Sequence, residues 1–302
     1  MSDSQYRTTI QQVRQTILSW LEKRVAEEKL NWIKTTGENL MGEPEDWELF
    51  TSFSAVPRHT GKAMADLTDQ EKAEADAQRA GWKPGNWRVD DLGRVYLLLC
   101  YAEQGKEKFL DRLEKIFITS DMNEAVALYQ GIPVYPWPES LKLRAAEGVR
   151  SNITTVFNAI ALDNPYPKEY LEQDPFNQIV LKALFVGSPL FRIVGLEERA
   201  NATLARILVE YSQERRSAGR VVSPELWRNV GPFIDEEFEE DIKWVLSQTD
   251  RLQLKGGVMA LLSSDYSGKE ELLKEHQDIV REIEEKNITW DDIGKEFEAV
   301  SG

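Results

Sequence analysis

The amino-acid sequence predicts an all-α protein, because apolar residues recur with a helical period along nearly the whole chain. Ile10, Val13, Ile17 and Leu21 form one such stripe near the N-terminus. No segment of convincing length alternates apolar and polar residues as a half-buried strand does. The pattern favours stacked antiparallel helices, as an irregular HEAT-like α-solenoid or a helical bundle. No strict repeat period is visible, so we do not expect a regular repeat array.

The first half of the chain carries clear helix start and stop signals. Thr68 and Glu71 have the spacing of a capping box and predict the start of a short helix. The apolar run Val89 to Ala102 predicts a central, buried helix. Asp121 is a suitable N-cap for a further helix, which should end at Gly131.

Three longer helices are predicted in the middle of the chain. The first runs from about Glu139 to Leu162. Asp174 and Pro175 form an N-cap and N1 pair for the second, which should end at Gly187. The third runs from Leu196 to about Ala218. Periodicity alone does not fix these limits to better than a few residues.

The charge of the chain is concentrated at its C-terminal end. Ser223 and Pro224 start a short helix, and three or so amphipathic helices follow Asp235. From Asp235 onwards there are 19 acidic and 8 basic residues, so most of the net charge of -15 lies there. We therefore expect a helical domain over residues 1–234 and acidic helices over 235–302 that pack on or extend it. This acidity argues against nucleic acid or an anionic membrane as partner.

Side chains for metal or redox chemistry are scarce. Cys100 is the only cysteine and lies in an apolar run, so no intrachain disulfide is possible. His59 and His276 are the only histidines and lack partners at metal-ligand spacing. We therefore expect no cofactor and no metal. Without a signal peptide or an apolar stretch of membrane-spanning length, a cytoplasmic location is the expectation.

Polar residues of an unusual kind follow one stripe of the predicted helix Glu139 to Leu162. They are Arg144, Glu147, Ser151, Thr154 and Asn158. Short Ser, Thr and Asn side chains are poor helix formers and make an odd solvent-facing surface. The stripe is therefore either a solvated face with an Arg144–Glu147 pair, or a packed polar wall that contacts a ligand.

A second group of polar residues adds positive charge to the same region. Lys182 interrupts an apolar run, and Asn177 lies near the N-terminal end of the same helix, where anions bind. Arg192, Arg199 and Arg206 recur every seven residues, with Arg199 and Arg206 on one face. These arginines either pair with nearby glutamates or bind an anionic group with their planar guanidinium. Lys182 correspondingly either reaches water or faces an anion.

With these residues in view, the chain resembles the EboA family over most of residues 45–234. The similarity rests on short blocks. They are Val56-Pro57-Arg58 with Gly61-Lys62, Arg144 to Asn152, Asn158 to Leu162, Asn164-Pro165-Tyr166-Pro167, Asn177 to Ala183, Gly195 to Asn201, Glu214-Arg215 with Ala218-Gly219-Arg220, and Ser223 to Arg228. The resemblance implies a role in a secondary-metabolite gene cluster, in transport or maturation of a small product. It carries over no catalytic residues.

Three functions remain open from the sequence. The first is a non-enzymatic binding or adaptor protein for a small anionic or polyol-like metabolite, or for other proteins of the cluster. Its binding residues would come from the polar stripe and the cationic group described above. The second is a metal-independent lyase or isomerase for a phosphorylated small molecule, with Glu147 or Tyr211 as acid-base group. The third is a structural scaffold whose polar residues satisfy one another.

Overall fold

The predicted all-α class is confirmed by the computed structural model, which describes residues 3–301, with side chains over 9–300. Within residues 3–301 the regular structure is helical, and the only β-type pairing is an isolated bridge between Met64 and Arg88. The helices form two compact units, one ending at Leu171 and the other beginning at Glu172. A solenoid arrangement and a boundary at residue 234 stay predictions.

The first unit is organised around one fully buried helix. Its helices are α1 (Asp3–Glu22), α2 (Glu27–Met41), α3 (Glu48–Thr60), α4 (Asp69–Gln78), α5 (Val89–Tyr101), α6 (Lys106–Thr119), α7 (Met122–Gly131), α8 (Lys142–Arg150), α9 (Thr154–Ala161) and α10 (Tyr166–Tyr170). Every residue of α5 is buried, and α1, α2, α3 and α7 pack around it. The predicted central position of this helix is confirmed.

Two of the buried charged residues in α5, Asp90 and Arg94, form an ion pair with each other. The Asp90 carboxylate accepts hydrogen bonds from Arg94, at 2.7 Å, and from Arg88, at 2.5 Å. An isolated charge in this position would be strongly destabilising, whereas a paired and hydrogen-bonded one is tolerated.

Helix starts with a strong local signal are confirmed. Thr68 and Glu71 form the predicted capping box at α4, and Asp121 forms one with Glu124 at α7. At α11 (Gln173–Val186) the predicted end is confirmed, with Gly187 in the left-handed conformation. The start is different, because Glu172 is the N-cap residue. The prediction of Asp174 and Pro175 as the N-cap and N1 pair was therefore wrong by two residues.

The prediction of one helix from Glu139 to Leu162 was wrong. A short 3-10 turn comes first, α8 ends at Arg150, and α9 begins at Thr154. The Ser151 hydroxyl accepts a hydrogen bond from the Ile153 backbone N–H at 3.2 Å, a local turn that competes with helix formation. The predicted polar stripe is therefore split between two helices.

The second unit is organised around a glycine-containing helix. Its helices are α11, α12 (Ala202–Ser217), α13 (Trp227–Val230), α14 (Glu239–Leu246), α15 (Arg251–Leu262), α16 (Lys269–Leu273), α17 (Gln277–Lys286) and α18 (Trp290–Ser301). Helices α13, α14, α17 and α18 pack on α15. Gly256 and Gly257 permit close packing against α15. A Cβ at Gly256 would lie 2.9 Å from the Pro224 backbone oxygen, and a Cβ at Gly257 would lie 2.7 Å from Cγ1 of Val245.

Two further predictions need correction in this unit. The helix expected from Leu196 begins at Ala202, because the Asn201 side chain accepts a hydrogen bond from the Leu204 backbone N–H at 2.9 Å and caps it. Arg199 consequently precedes α12 and shares no helix face with Arg206. After Asp235 the chain forms five α-helices, not three, because short turns divide the acidic region.

Candidate ligand-binding cavity

A cavity of about 600 Å³ lies within the second unit. Its wall is formed by the end of α11 and the turn after it, by one face of α12, by the segment that leads into α13, and by α18. The lining residues fall in the ranges 184–189, 211–215, 221–225 and 294–300. This volume is typical of sites that enclose a small organic molecule.

Glu225 is the most unusual residue of the cavity wall. It lies in the 3-10 turn Pro224–Leu226 and is only 2% exposed. The Leu190 backbone N–H donates to its Oε2 at 3.2 Å, whereas Oε1 has no hydrogen-bond partner among the described residues. A Cβ at Gly294 would lie 2.5 Å from Oε1, so only glycine lets α18 approach this carboxyl so closely.

Burial changes the acidity of Glu225. Desolvation raises its pKa to about 7, and the nearby backbone N–H groups of Leu190 and Phe191 and the Arg228 charge only partly oppose this effect. Near neutral pH the carboxyl group is thus present in both forms. It can accept a hydrogen bond when ionised and donate one when protonated.

Tyr211 and Arg215 of α12 lie on another part of the wall. The Tyr211 hydroxyl donates to the Leu184 backbone oxygen at 3.2 Å, and burial raises its pKa. The Arg215 guanidinium lies 6.0 Å from the Tyr211 ring centre, and its Nε donates to the Val221 oxygen at 3.1 Å. Both side chains are therefore held in place by backbone carbonyl groups.

Two of the predicted binding residues lie together near the start of α11. The Asn177 side-chain oxygen accepts hydrogen bonds from Gln173 and Asn201, both at 2.9 Å. The Arg199 Nε donates to the Gln173 side-chain oxygen at 3.1 Å, and its guanidinium lies 4.7 Å from the Phe176 ring centre. Asn177 and Arg199 are thus linked by hydrogen bonds through the side-chain amide of Gln173.

Three other predicted residues of this unit are spread over different elements. Lys182 is partly exposed on α11, and partial burial lowers its pKa. Arg192 is partly exposed in the 3-10 turn Leu190–Arg192. Arg206 lies on the surface and forms an ion pair of 3.1 Å with Glu237. Arg206 is thus paired with a carboxylate of the protein, Glu237.

Arg144, Glu147 and Asn158 belong to the first unit. Arg144 forms the predicted ion pair with Glu147, at 2.5 Å, and a second one with Glu114. Its guanidinium also lies 4.8 Å from the Phe117 ring centre. Asn158 is partly buried on α9. Two carboxylates and an aromatic ring thus contact the Arg144 guanidinium, while its buried Nε has no hydrogen-bond partner among the described residues.

Among the described residues, the cavity is lined by Tyr211 but by none of the seven residues predicted to bind ligand. A role in binding for those seven stays a prediction. Sequence reasoning missed Glu225 and Arg215, although both lie in blocks that resemble the EboA family. A signal for Glu225 was available, because it is the one charged residue between Val222 and Trp227.

Over residues 3–301 no helix has both the length and the apolar character that a membrane crossing requires. The side chains of His, Cys, Asp and Glu that are described form no group of three or more able to hold a metal ion.

Comparison with protein families gives one match. The family model described as "Metabolite traffic protein EboA" matches residues 13–231 of the chain. The matched region begins earlier in the chain than residues 45–234, over which the short sequence blocks resemble the family. No curated protein and no solved structure matches the chain.

Proposed function

The chain belongs to the EboA family, and from this premise we propose that it is a non-enzymatic carrier that holds a small metabolite in the cavity of its second unit. The family description suggests a role in metabolite traffic. The observation that carries the proposal is the cavity of about 600 Å³ in the second unit, whose wall combines apolar residues with the polar Tyr211, Arg215 and Glu225. A concave site of this size, lined by apolar surface and a few polar groups, is the usual form of a small-molecule site.

A cavity-blocking substitution tests this proposal. Leu184 lines the cavity, whereas the next residue, Phe185, is 75% exposed and does not line it. Leu184→Trp should fill part of the cavity, and Phe185→Trp is a matched control on the same helix. All three proteins would be purified from the natural host and examined by native mass spectrometry, with circular dichroism to verify folding.

The expected result is a small-molecule adduct on the wild type and on Phe185→Trp that is absent from Leu184→Trp. The proposal is wrong if no adduct appears on the wild type, or if folded Leu184→Trp keeps it. A single adduct mass is expected, because a cavity of about 600 Å³ has room for one small molecule.

A second candidate function is a metal-independent lyase or isomerase. It is favoured by a carboxyl group in the cavity with a pKa of about 7, which is suited to proton transfer at neutral pH. Tyr211 is a weaker acid-base candidate, because burial raises its pKa and its hydroxyl is hydrogen-bonded to the Leu184 carbonyl. A carrier should release the same molecule from the wild type and from Glu225→Gln, whereas an enzyme should accumulate substrate on the variant.

The cationic group predicted from the sequence remains a separate proposal for anion binding. Arg199→Ala should abolish an anion-induced rise in melting temperature if Arg199 binds the anion, because a ligand stabilises the state that binds it. Loss of soluble protein, or an unchanged shift with phosphate, would instead favour a purely structural role. Binding of other proteins of the gene cluster is likewise a proposal.

A further inference from the structure

Arg215 is the cationic residue of the cavity wall. Its Nε donates to the Val221 backbone oxygen at 3.1 Å, and its guanidinium lies 6.0 Å from the Tyr211 ring centre. Within the described part of the chain, neither of its Nη groups forms a hydrogen bond or an ion pair with the protein. The Val221 carbonyl thus holds the guanidinium, while the N–H donors of both Nη groups are available to a ligand.

Most other partly or fully buried arginines of the protein have a carboxylate partner. Ion pairs with aspartate or glutamate are formed by Arg14, Arg24, Arg79, Arg88, Arg94, Arg112, Arg144, Arg216 and Arg228. Arg216, which follows Arg215 on α12, pairs with Asp241. Arg215 is also partly buried, yet among residues 9–300 it has no such partner. Because partial burial weakens the hydration of an unpaired charge, a bound anion would stabilise it.

The charges around Tyr211 add to the positive character of this part of the wall. Burial raises the pKa of Tyr211, the Arg215 charge opposes this effect, Glu214 reinforces it, and Arg220 opposes it. Two guanidinium groups and one carboxylate therefore act on the Tyr211 hydroxyl, which also lines the cavity.

The carboxyl groups of the wall do not cancel the charge of Arg215. Glu225 is covered by Gly294 of α18, and burial raises its pKa to about 7, so it is only partly ionised at neutral pH. Glu298 is exposed on α18 and, among the described residues, forms no ion pair with Arg215. Because water screens an exposed charge more strongly than a partly buried one, the wall favours an anion beside Arg215.

We propose that the ligand of this cavity carries an oxyanion, a carboxylate or a phosphate, that binds the Nη groups of Arg215. The inference rests on the proposed carrier function and narrows it to a class of molecule. A guanidinium binds the oxygens of either group through a planar pair of N–H donors. Arg215 is not among the cationic residues predicted from the sequence, so this site differs from the anion site proposed for Arg199.

Four probes that share a naphthalene ring test this preference for an anion. The two oxyanions are 2-naphthoate and 2-naphthyl phosphate, whereas 2-naphthol is neutral at pH 7 and 2-naphthylmethylamine is a cation. Binding to the recombinant full chain would be measured by titration calorimetry at pH 7 and low salt. We expect at least one oxyanion to bind one per chain, about tenfold or more tighter than the neutral and cationic probes, because charge-assisted hydrogen bonds are the stronger ones. The tighter of the two oxyanions identifies the group that the cavity accepts.

Variants locate the binding at Arg215. Arg215→Gln removes the charge and should lower the affinity for the oxyanion to that for 2-naphthol, while the affinity for 2-naphthol itself stays unchanged. Arg206→Gln is the matched control and should bind like the wild type, because Arg206 lies on the same helix but is exposed and does not line the cavity. Leu184→Trp fills part of the cavity and should weaken the binding of every probe. Circular dichroism would verify that each variant is folded.

The oxyanion proposal is overturned if 2-naphthol or the amine binds as tightly as both oxyanions, or if folded Arg215→Gln binds them like the wild type. Absence of oxyanion binding to the wild type also overturns it. The carrier function is tested separately by the adduct from the natural host. An adduct that has no acidic group, or that persists on Arg215→Gln, refutes the oxyanion and leaves the carrier function standing. Oxyanion binding by a protein that carries no adduct in its host has the opposite meaning.

Discussion

Replacement of Glu225 by glutamine should remove a loss of stability that the wild type shows as pH rises. Burial raises the pKa of this carboxyl from its ordinary value of 4.5 to about 7 in the folded protein. Glutamine has nearly the same shape and cannot ionise. Its side-chain oxygen can still accept the Leu190 N–H, so the variant isolates the effect of charge.

The sign of the effect follows from which state holds the proton. Below pH 4.5 both the folded and the unfolded chain carry a protonated Glu225, so the group contributes no penalty. Between pH 4.5 and 7 the unfolded chain releases the proton while the folded chain retains it, and the free energy of unfolding falls. At about 1.4 kcal/mol per pKa unit, the loss is roughly 3 kcal/mol once the pH exceeds 7.

Urea denaturation followed by circular dichroism at pH 4.5, 6 and 8 measures this difference. The free energy of unfolding of Glu225→Gln, minus that of the wild type, should increase by roughly 3 kcal/mol across this range. Asp91, whose pKa burial raises to about 6, is present in both proteins and cancels. Glu298→Gln is the control, because Glu298 lines the same cavity but is exposed. A difference that stays constant with pH would refute the reasoning.

Other predictions concern packing and ion pairs, each measurable by urea denaturation. Gly294→Ala places a Cβ 2.5 Å from the Glu225 carboxyl and should lower the free energy of unfolding by about 1–3 kcal/mol. An unchanged free energy of unfolding would contradict the close packing of α18. Glu71→Gln leaves Arg24 without its buried carboxylate partner and should lower the free energy of unfolding by about 3 kcal/mol. A decrease of less than about 1 kcal/mol would exclude a strong Arg24–Glu71 ion pair. Arg206→Ala removes only an exposed ion pair and should change stability by less than about 1 kcal/mol; a larger loss would indicate a structural role.

Helices were predictable where local chemistry fixes their ends. The capping boxes at Thr68 and Asp121 and the left-handed Gly187 act over three or four residues, so the sequence alone reveals them. The interruption of the helix at Ser151 is not predicted by the sequence, although Ser151 and Thr154 have poor helix propensity. Apolar periodicity continued across it, and Ile153 fits that period but is 46% exposed. Periodicity cannot separate one long helix from two that follow each other in phase.

The cavity could not be predicted, because its wall combines segments that are distant in sequence. Leu184, Glu225 and Gly294 line it together, yet no local pattern connects α11, the turn before α13 and α18. The binding site predicted from the sequence depends on residue type, since arginine and lysine side chains indicate that an anionic ligand binds. Arg144 and Arg206 instead have carboxylate partners on the protein. Tyr211 was named from its chemistry, and its position on the cavity wall depends on the tertiary fold.

The protonation of Glu225 depends on a helix outside the family-matched region. Glu225 lies within residues 13–231, whereas Gly294 and the rest of α18 follow that region. Because α18 passes so close to the carboxyl, it contributes to the desolvation that raises the pKa of Glu225. The same helix supplies Phe297 and Val300 to the cavity wall. A chain with the same matched region but another C-terminal helix would therefore differ both in the protonation of this carboxyl and in the apolar surface of the cavity wall. Two properties of the cavity are thus set in part by one helix.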